Sequence, residues 1–252
     1  MMHRTVILAV GFMAAVSGSL PAGAEDHHWS YSGEGGPSHW AELDAKNRAC
    51  GAGKSQSPIE IRTRDVHKRR LPPLEFEYRP TPLRIIDNGH SIQVNIERGS
   101  ALRIGDKTYE LIQFHFHHPS EEWINGKNSE MVAHLVHRDK AGRLAVVAVL
   151  LNVGRLNATV ESLWSHLPKQ KNHQMDVKGI QVDPIGLLPA DHSYFTYTGS
   201  LTTPPCSEGV RWFVLKSPST LSKSEIATFA AHYRNDARPL QKLNGREVLA
   251  AK

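Results

Sequence analysis

Cysteine is scarce in this 252-residue chain: there are two, Cys50 and Cys206. That excludes a disulfide-dense small scaffold and a clustered-thiolate metal site. Long apolar runs are missing too. Residues 6–16 form a run of 11, about half of the roughly 20 residues a membrane-spanning helix needs, and no later segment comes close, so no membrane partner is expected. There is no Gly/Ser linker and no repeat, which argues for a single domain and against a solenoid. The charge excess is small, 30 basic against 25 acidic residues, too little to suggest nucleic-acid binding. With 40% hydrophobic and 22% charged residues, disorder, collagen and coiled coil are excluded. What the chain has in excess is histidine, 15 in all, pointing to metal or proton chemistry.

The N-terminus reads as an export signal. Arg4 precedes the apolar run, and a small-residue stretch ends Ala22-Gly23-Ala24, an A-x-A cleavage pattern. Residues 1–24 are therefore expected to be removed near Ala24, leaving a periplasmic or secreted domain over 25–252. In an oxidising compartment Cys50 and Cys206 can close one disulfide, the alternative being two separately buried thiols.

Period-two alternation marks strands at 91–96, 111–118, 131–137, 144–151 and 209–216, with turn-like stretches at 124–127 and 139–142. Helical patterns are few: 157–167, and 223–233 after Ser222 as a candidate N-cap. The expected class is mainly β (α+β), strand-rich with short peripheral helices. His67-Lys68-Arg69-Arg70 before a Pro-Pro pair reads as a solvated loop.

The chemistry centres on Gln113-Phe114-His115-Phe116-His117. On a strand, Gln113, His115 and His117 share one face while Phe114 and Phe116 point into a core. The next strand puts Val132, His134 and Val136 on one face, so an antiparallel pairing can bring His134 opposite the pair. Alternation puts His118 and His137 on the other faces. H-x-H alone is weak, since 15 histidines in this length give about one such pair by chance. A third histidine on the matching face of the neighbouring strand is stronger: three neutral nitrogens with an open fourth position describe a catalytic zinc site.

Beyond these residues the chain resembles the alpha-class carbonic anhydrases. The resemblance is carried by His27-His28-Trp29 with Tyr31, Gln56-Ser57-Pro58-Ile59, Asn88-Gly89-His90, the 113–117 segment, Ser120-Glu121, His134-Leu135-Val136-His137, the 200–205 run Ser-Leu-Thr-Thr-Pro-Pro, and Val210-Arg211-Trp212. These motifs run in the family's order over nearly the whole mature chain; the two cysteines and leader look like its exported bacterial branch. The resemblance implies a single domain around a large, mostly antiparallel twisted sheet. It implies a Zn2+ enzyme that reversibly hydrates carbon dioxide to bicarbonate and a proton by attack of zinc-bound hydroxide, with esterase activity as a side reaction. The family is itself the standard instance of a three-histidine catalytic zinc site.

Residue by residue, the resemblance implies His115, His117 and His134 as zinc ligands and Gln113 as the outer partner of the first. Thr202 and Glu121 match a relay that orients the hydroxide, and Thr203 a contact to bicarbonate or inhibitors. Val136, Val146 and Leu201 match the apolar wall for carbon dioxide. His90 matches the proton shuttle, with Tyr31 and Asn88 ordering the water chain. Sulfonamide and anion inhibitors are implied, and a monomer or homodimer is expected. Two positions depart from the pattern. The family often has Glu two residues before the third ligand, where this chain has Val132; Glu130 is the expected substitute. Asp87 stands where Asn is frequent and is expected to raise the shuttle's pKa. A non-catalytic binding module on the same fold is the competing expectation, opposed by the presence of all three ligands, Thr202 and Glu121.

Overall fold

The computed structural model describes residues 28–251, so the expected signal segment 1–24 and His27 lie outside the described residues. The strands are β1 Glu60–Ile61, β2 His67–Arg69, β3 Leu74–Glu77, β4 Thr81–Asp87, β5 Ile92–Asn95, β6 Ala101–Ile104, β7 Lys107–His117, β8 Trp123–Ile124, β9 Met131–Arg138, β10 Leu144–Val153, β11 Gln174–Val182, β12 Tyr194–Ser200, β13 Glu208–Leu215, β14 Ser219–Leu221 and β15 Leu249–Ala251. The helices are short: α1 Trp40–Leu43, α2 Ala49–Ala52, α3 Ala158–Trp164 and α4 Lys223–His232. Both expected helices form, each shorter than its pattern. The Asn157 side chain caps α3 by accepting from the N–H groups of Thr159 and Val160, and Ser222 and Glu225 make a capping box on α4.

Thirteen strands form one mixed twisted sheet with the path β11-β4-β5-β7-β9-β10-β13-β12-β15-β2. Most pairs are antiparallel; β10 runs parallel to β13 and β14, and β15 parallel to β2. The basic run 67–69 is therefore a strand rather than a loop. Its side chains are solvent-exposed, but its backbone finds a partner in β15, which a composition argument does not register. Among the described residues no helix is long and apolar enough to cross a membrane.

The sheet has two apolar faces. Phe114, Phe116, Ala133, Leu135, Val147 and Phe213 belong to one cluster; Val132, Val136, Val146, Ala148 and Trp212 belong to the other. This split is the alternation of β7, β9 and β10 made physical. A bulge between Leu111 and Gln113 in β7 shifts the register, so Leu111 packs with Phe114 while Ile112 joins the opposite cluster. Each fully buried Phe contributes roughly 1.5–3 kcal/mol of burial.

His137 lies on the face away from the histidine triad. Its ring is buried, with Nε2 2.7 Å from the Tyr78 hydroxyl and Nδ1 3.3 Å from the Ala145 carbonyl. Burial pushes its pKa down to about 4 from 6.5. The unfolded chain thus takes up this proton first as pH falls, and the stability held above pH 6.5 is lost towards pH 4. Urea unfolding of wild type and His137→Gln at pH 7 and pH 4 is expected to show the wild type losing about 3 kcal/mol more than the variant. Equal losses would contradict it.

Candidate metal centre

Register delivers the triad. In the β7–β9 pair His115 stands opposite His134 and His117 opposite Val132. Ring centroids lie 5.0 Å apart for His115 and His117, 5.4 Å for His115 and His134, and 4.9 Å for His117 and His134. One nitrogen of each ring lies within 4.8 Å of the others. His117 and His134 are buried and His115 is partly open.

The second nitrogen of every ring is occupied by an acceptor. His115 Nδ1 donates to Gln113 Oε1 at 2.9 Å, and His117 Nδ1 to the Asp236 carbonyl at 2.7 Å. His134 Nε2 donates to Glu122 Oε1 and Oε2 at 3.0 and 3.2 Å. Acceptors without hydrogens fix each tautomer, leaving Nε2, Nε2 and Nδ1 facing one another.

Among the buried atoms here without a hydrogen-bond partner are His117 Nε2, Asp236 Oδ2 and Glu121 Oε2, and the last of these stands 3.7 Å from His117 Nε2 and 3.8 Å from His134 Nδ1. Burial, then the neighbouring rings, pulls His115 well below the usual imidazole value. His117 is opposed by burial but drawn upward overall by Glu121 and Asp236. Glu121, Glu122 and Asp236 are all buried. Three imidazoles ringed by buried carboxylates form a site whose charge a divalent cation balances. The donor set, three nitrogens with an open position, fits zinc.

Around the centre, Glu121 Oε1 accepts the Arg238 backbone N–H at 2.8 Å. Thr202 is buried at the end of β12, on a loop held by Trp212 Nε1 donating to the Ser200 carbonyl at 3.0 Å and by Ser57 N donating to Ser200 Oγ at 2.9 Å. The strand approaches so closely that a Cβ on Gly199 would sit 2.1 Å from Ser57 Oγ. Thr203 is half-buried on this loop, and its carbonyl accepts the Cys206 N–H at 2.8 Å. Cys206 is bonded to Cys50. Val136 pairs with Val146, Val146 with Trp212, and Leu201 packs on the same cluster.

One expectation is corrected and another is outweighed. Glu130 is exposed and does not replace the missing acid; the carboxylate beside His134 Nε2 belongs to Glu122. The adjacent Glu121-Glu122 pair was the one sequence signal for it, and spacing along β9 could not reveal a residue outside that strand. Asp87 does raise His90, but as the weakest of the influences on it, and it is outweighed. Its carboxylate is taken by the Tyr233 hydroxyl and the Gly89 N–H. His90 instead stacks on Trp29 at 3.5 Å between centroids, with Nε2 3.0 Å from His28 Nε2. Burial, then His28 and Lys171, pushes it down to about 4, with Asp87 opposing least of all. Asn88 shapes this turn, its Oδ1 accepting the N–H groups of His90 and Ser91, while Gly89 takes φ +84°. The Tyr31 hydroxyl is buried without a protein partner, and burial raises its pKa.

A model of the eukaryotic-type carbonic anhydrases matches residues 35–252. A carbonic anhydrase from Nostoc sp. is 41% identical, over 97% of this chain and 93% of its own. One from Klebsiella pneumoniae is 43% identical, over 91% and 94%. Among solved structures, the alpha-carbonic anhydrase of Thermovibrio ammonificans in complex with the inhibitor sulfanilamide superposes with a TM-score of 0.85 at 40% identity, over 88% of this chain and 98% of that one. Sequence motifs, sheet and histidine register thus converge, and the chain belongs to the eukaryotic-type (alpha) carbonic anhydrase family.

Proposed function

We propose that this enzyme catalyses the reversible hydration of carbon dioxide to bicarbonate and a proton at the His115–His117–His134 centre, with zinc as its ion. The observation that carries the reading is the triad itself: three rings whose outer nitrogens are tied to acceptors and whose inner nitrogens converge. Zinc held there supplies a Lewis acid that makes hydroxide available near neutral pH, for which carbonic anhydrase is the standard example.

The remaining work falls to the chain. In the working enzyme the Thr202 hydroxyl would accept a hydrogen bond from the attacking oxygen and donate its own to Glu121 Oε2, a buried oxygen that has no hydrogen-bond partner in this structure. That direction is fixed because the Arg238 N–H holds Oε1 of a carboxylate that accepts only. The oxygen's lone pair is thereby aimed at substrate carbon. Val136, Val146 and Leu201 give an uncharged substrate a dry wall. Thr203 stands on the loop where bicarbonate or an anionic inhibitor docks, and sulfonamides bind the same centre, a reading supported by the relative solved with sulfanilamide.

His90 carries the product proton outward through water ordered by Tyr31 and Asn88. The stacked pose holds it near pKa 4, too low to accept a proton efficiently at neutral pH. Burial in the stack on Trp29 is the main cause of that low value, so the shuttle role calls for the ring to leave the stack before it takes a proton at neutral pH. Residues 1–24 act as the export signal and 25–252 as the catalytic domain, placing the enzyme in the periplasm or outside the cell; the Cys50–Cys206 disulfide supports an oxidising compartment.

The test is stoichiometric zinc analysis with stopped-flow hydration. One zinc per chain and rapid hydration abolished by a sulfonamide are expected, and activity no greater than a zinc-only blank would end the reading. In the same assay His90→Ala is expected to lower turnover about tenfold or more in dilute buffer, with partial rescue by imidazole. An equal loss at all buffer concentrations would remove the shuttle role.

A further inference from the structure

We propose that Glu122 is the positioning residue that fixes His134 for the metal, a task this chain has moved off β9. The inference rests on the zinc reading above. Val132, two residues before His134 on the same face, is fully buried in the apolar cluster and offers no acceptor. Glu122 reaches His134 from the segment between β7 and β9 instead. Its carboxylate is fully buried, and both oxygens lie within 3.2 Å of Nε2.

The segment carrying it is anchored on both sides. Ser120 Oγ donates to the Glu122 carbonyl at 2.9 Å and accepts the Ser129 N–H at 2.8 Å, while Ser120 N donates to the Ser129 carbonyl at 3.0 Å. Immediately after Glu122, β8 pairs with β1 through Trp123 and Glu60. The carboxylate's position is therefore set by backbone structure, independent of the ring it holds.

A fully buried carboxylate is expensive for a fold. The cost is offset when a dication stands on the far side of the His134 ring. Accepting the Nε2–H leaves the lone pair on Nδ1, aimed at the centre, and makes the ring a stronger donor. Glu121 has a separate task. Its Oε2 stands 3.8 Å from Nδ1, the metal-facing nitrogen, so the two consecutive acids flank His134 from opposite sides.

The experiment compares zinc-loaded wild type, Glu122→Ala and Glu122→Gln by the rate of zinc release to a chromogenic chelator and by melting temperature with and without zinc. Release is expected to quicken about 100-fold in the alanine variant and about 10-fold in glutamine, which keeps length and an acceptor but loses charge. The gap between zinc-loaded and zinc-free melting temperatures is expected to narrow in the same order, which loss of packing alone would not produce. Release unchanged in Glu122→Ala overturns the proposal. Should that variant not fold, unchanged release in the near-isosteric Glu122→Gln overturns it. A wild type holding no stoichiometric zinc overturns the metal reading itself, a result distinct from either.

Discussion

Replacing His115 with alanine is expected to abolish stoichiometric zinc binding and to lower carbon dioxide hydration by at least about 1,000-fold. The floor comes from comparison: losing an outer partner of a ligand costs about 10–100-fold in metal affinity or activity, and losing the ligand must cost more. His115 suits the test because it is the least buried of the triad. It faces Gln93 on β5 and His134 on β9 across the sheet, so truncation opens the cavity side without emptying the core beneath Phe114 and Phe116. The metal-free variant should melt within a few degrees of metal-free wild type, separating loss of the ion from loss of the fold. Full zinc occupancy in the variant would show that the three rings do not form the metal centre.

The triad was legible because strand geometry is nearly deterministic at short range. Once 111–118 and 131–137 read as strands, period two placed His115, His117 and His134 on facing surfaces and set His118 and His137 aside. His118 ends up bonded through Nδ1 to the Arg234 carbonyl, and His137 to Tyr78. What spacing could not supply was everything arriving from afar. Asp236 tethers His117 from 119 residues away, and Arg238 holds Glu121 from 117 residues away. Glu122 needed the path of a connection rather than the period of a strand. The strand pattern also missed β4, β11 and β12. Pro82 interrupts β4; β11 lies at the sheet edge with Gly179 and mostly exposed or half-buried side chains; and β12 is a run of nearly all buried residues broken by Gly199. Alternation fails where both faces are covered or where neither is. The stacking of His90 on Trp29 was equally hidden, because it joins the N-terminal segment to a turn about 60 residues later.

Reduction of the Cys50–Cys206 disulfide is expected to lower the unfolding free energy by up to about 5 kcal/mol, the chain-entropy figure for a loop of this size. The bond closes a sequence separation of 156 residues, most of the folded chain, so its removal releases the unfolded ensemble far more than the native one. A typical domain has 5–15 kcal/mol in all, which makes this one of the largest single terms available. Activity should respond differently. Cys206 follows the loop bearing Thr202 and Thr203, yet that loop has other anchors: Gln56 Nε2 donates to the Cys206 carbonyl at 3.0 Å, Cys206 N to the Thr203 carbonyl, and Trp212 to Ser200. Reduced enzyme, or a Cys50→Ala/Cys206→Ala variant, should therefore keep most of its hydration rate at 25 °C while its denaturation midpoint falls. Parallel chemical-unfolding and stopped-flow measurements with and without reductant read the two effects apart. An unchanged midpoint would mean that the bridge leaves the unfolded chain no less free. A rate collapsing along with the midpoint would mean that the bridge, rather than its three hydrogen-bonded neighbours, holds the threonine loop in place.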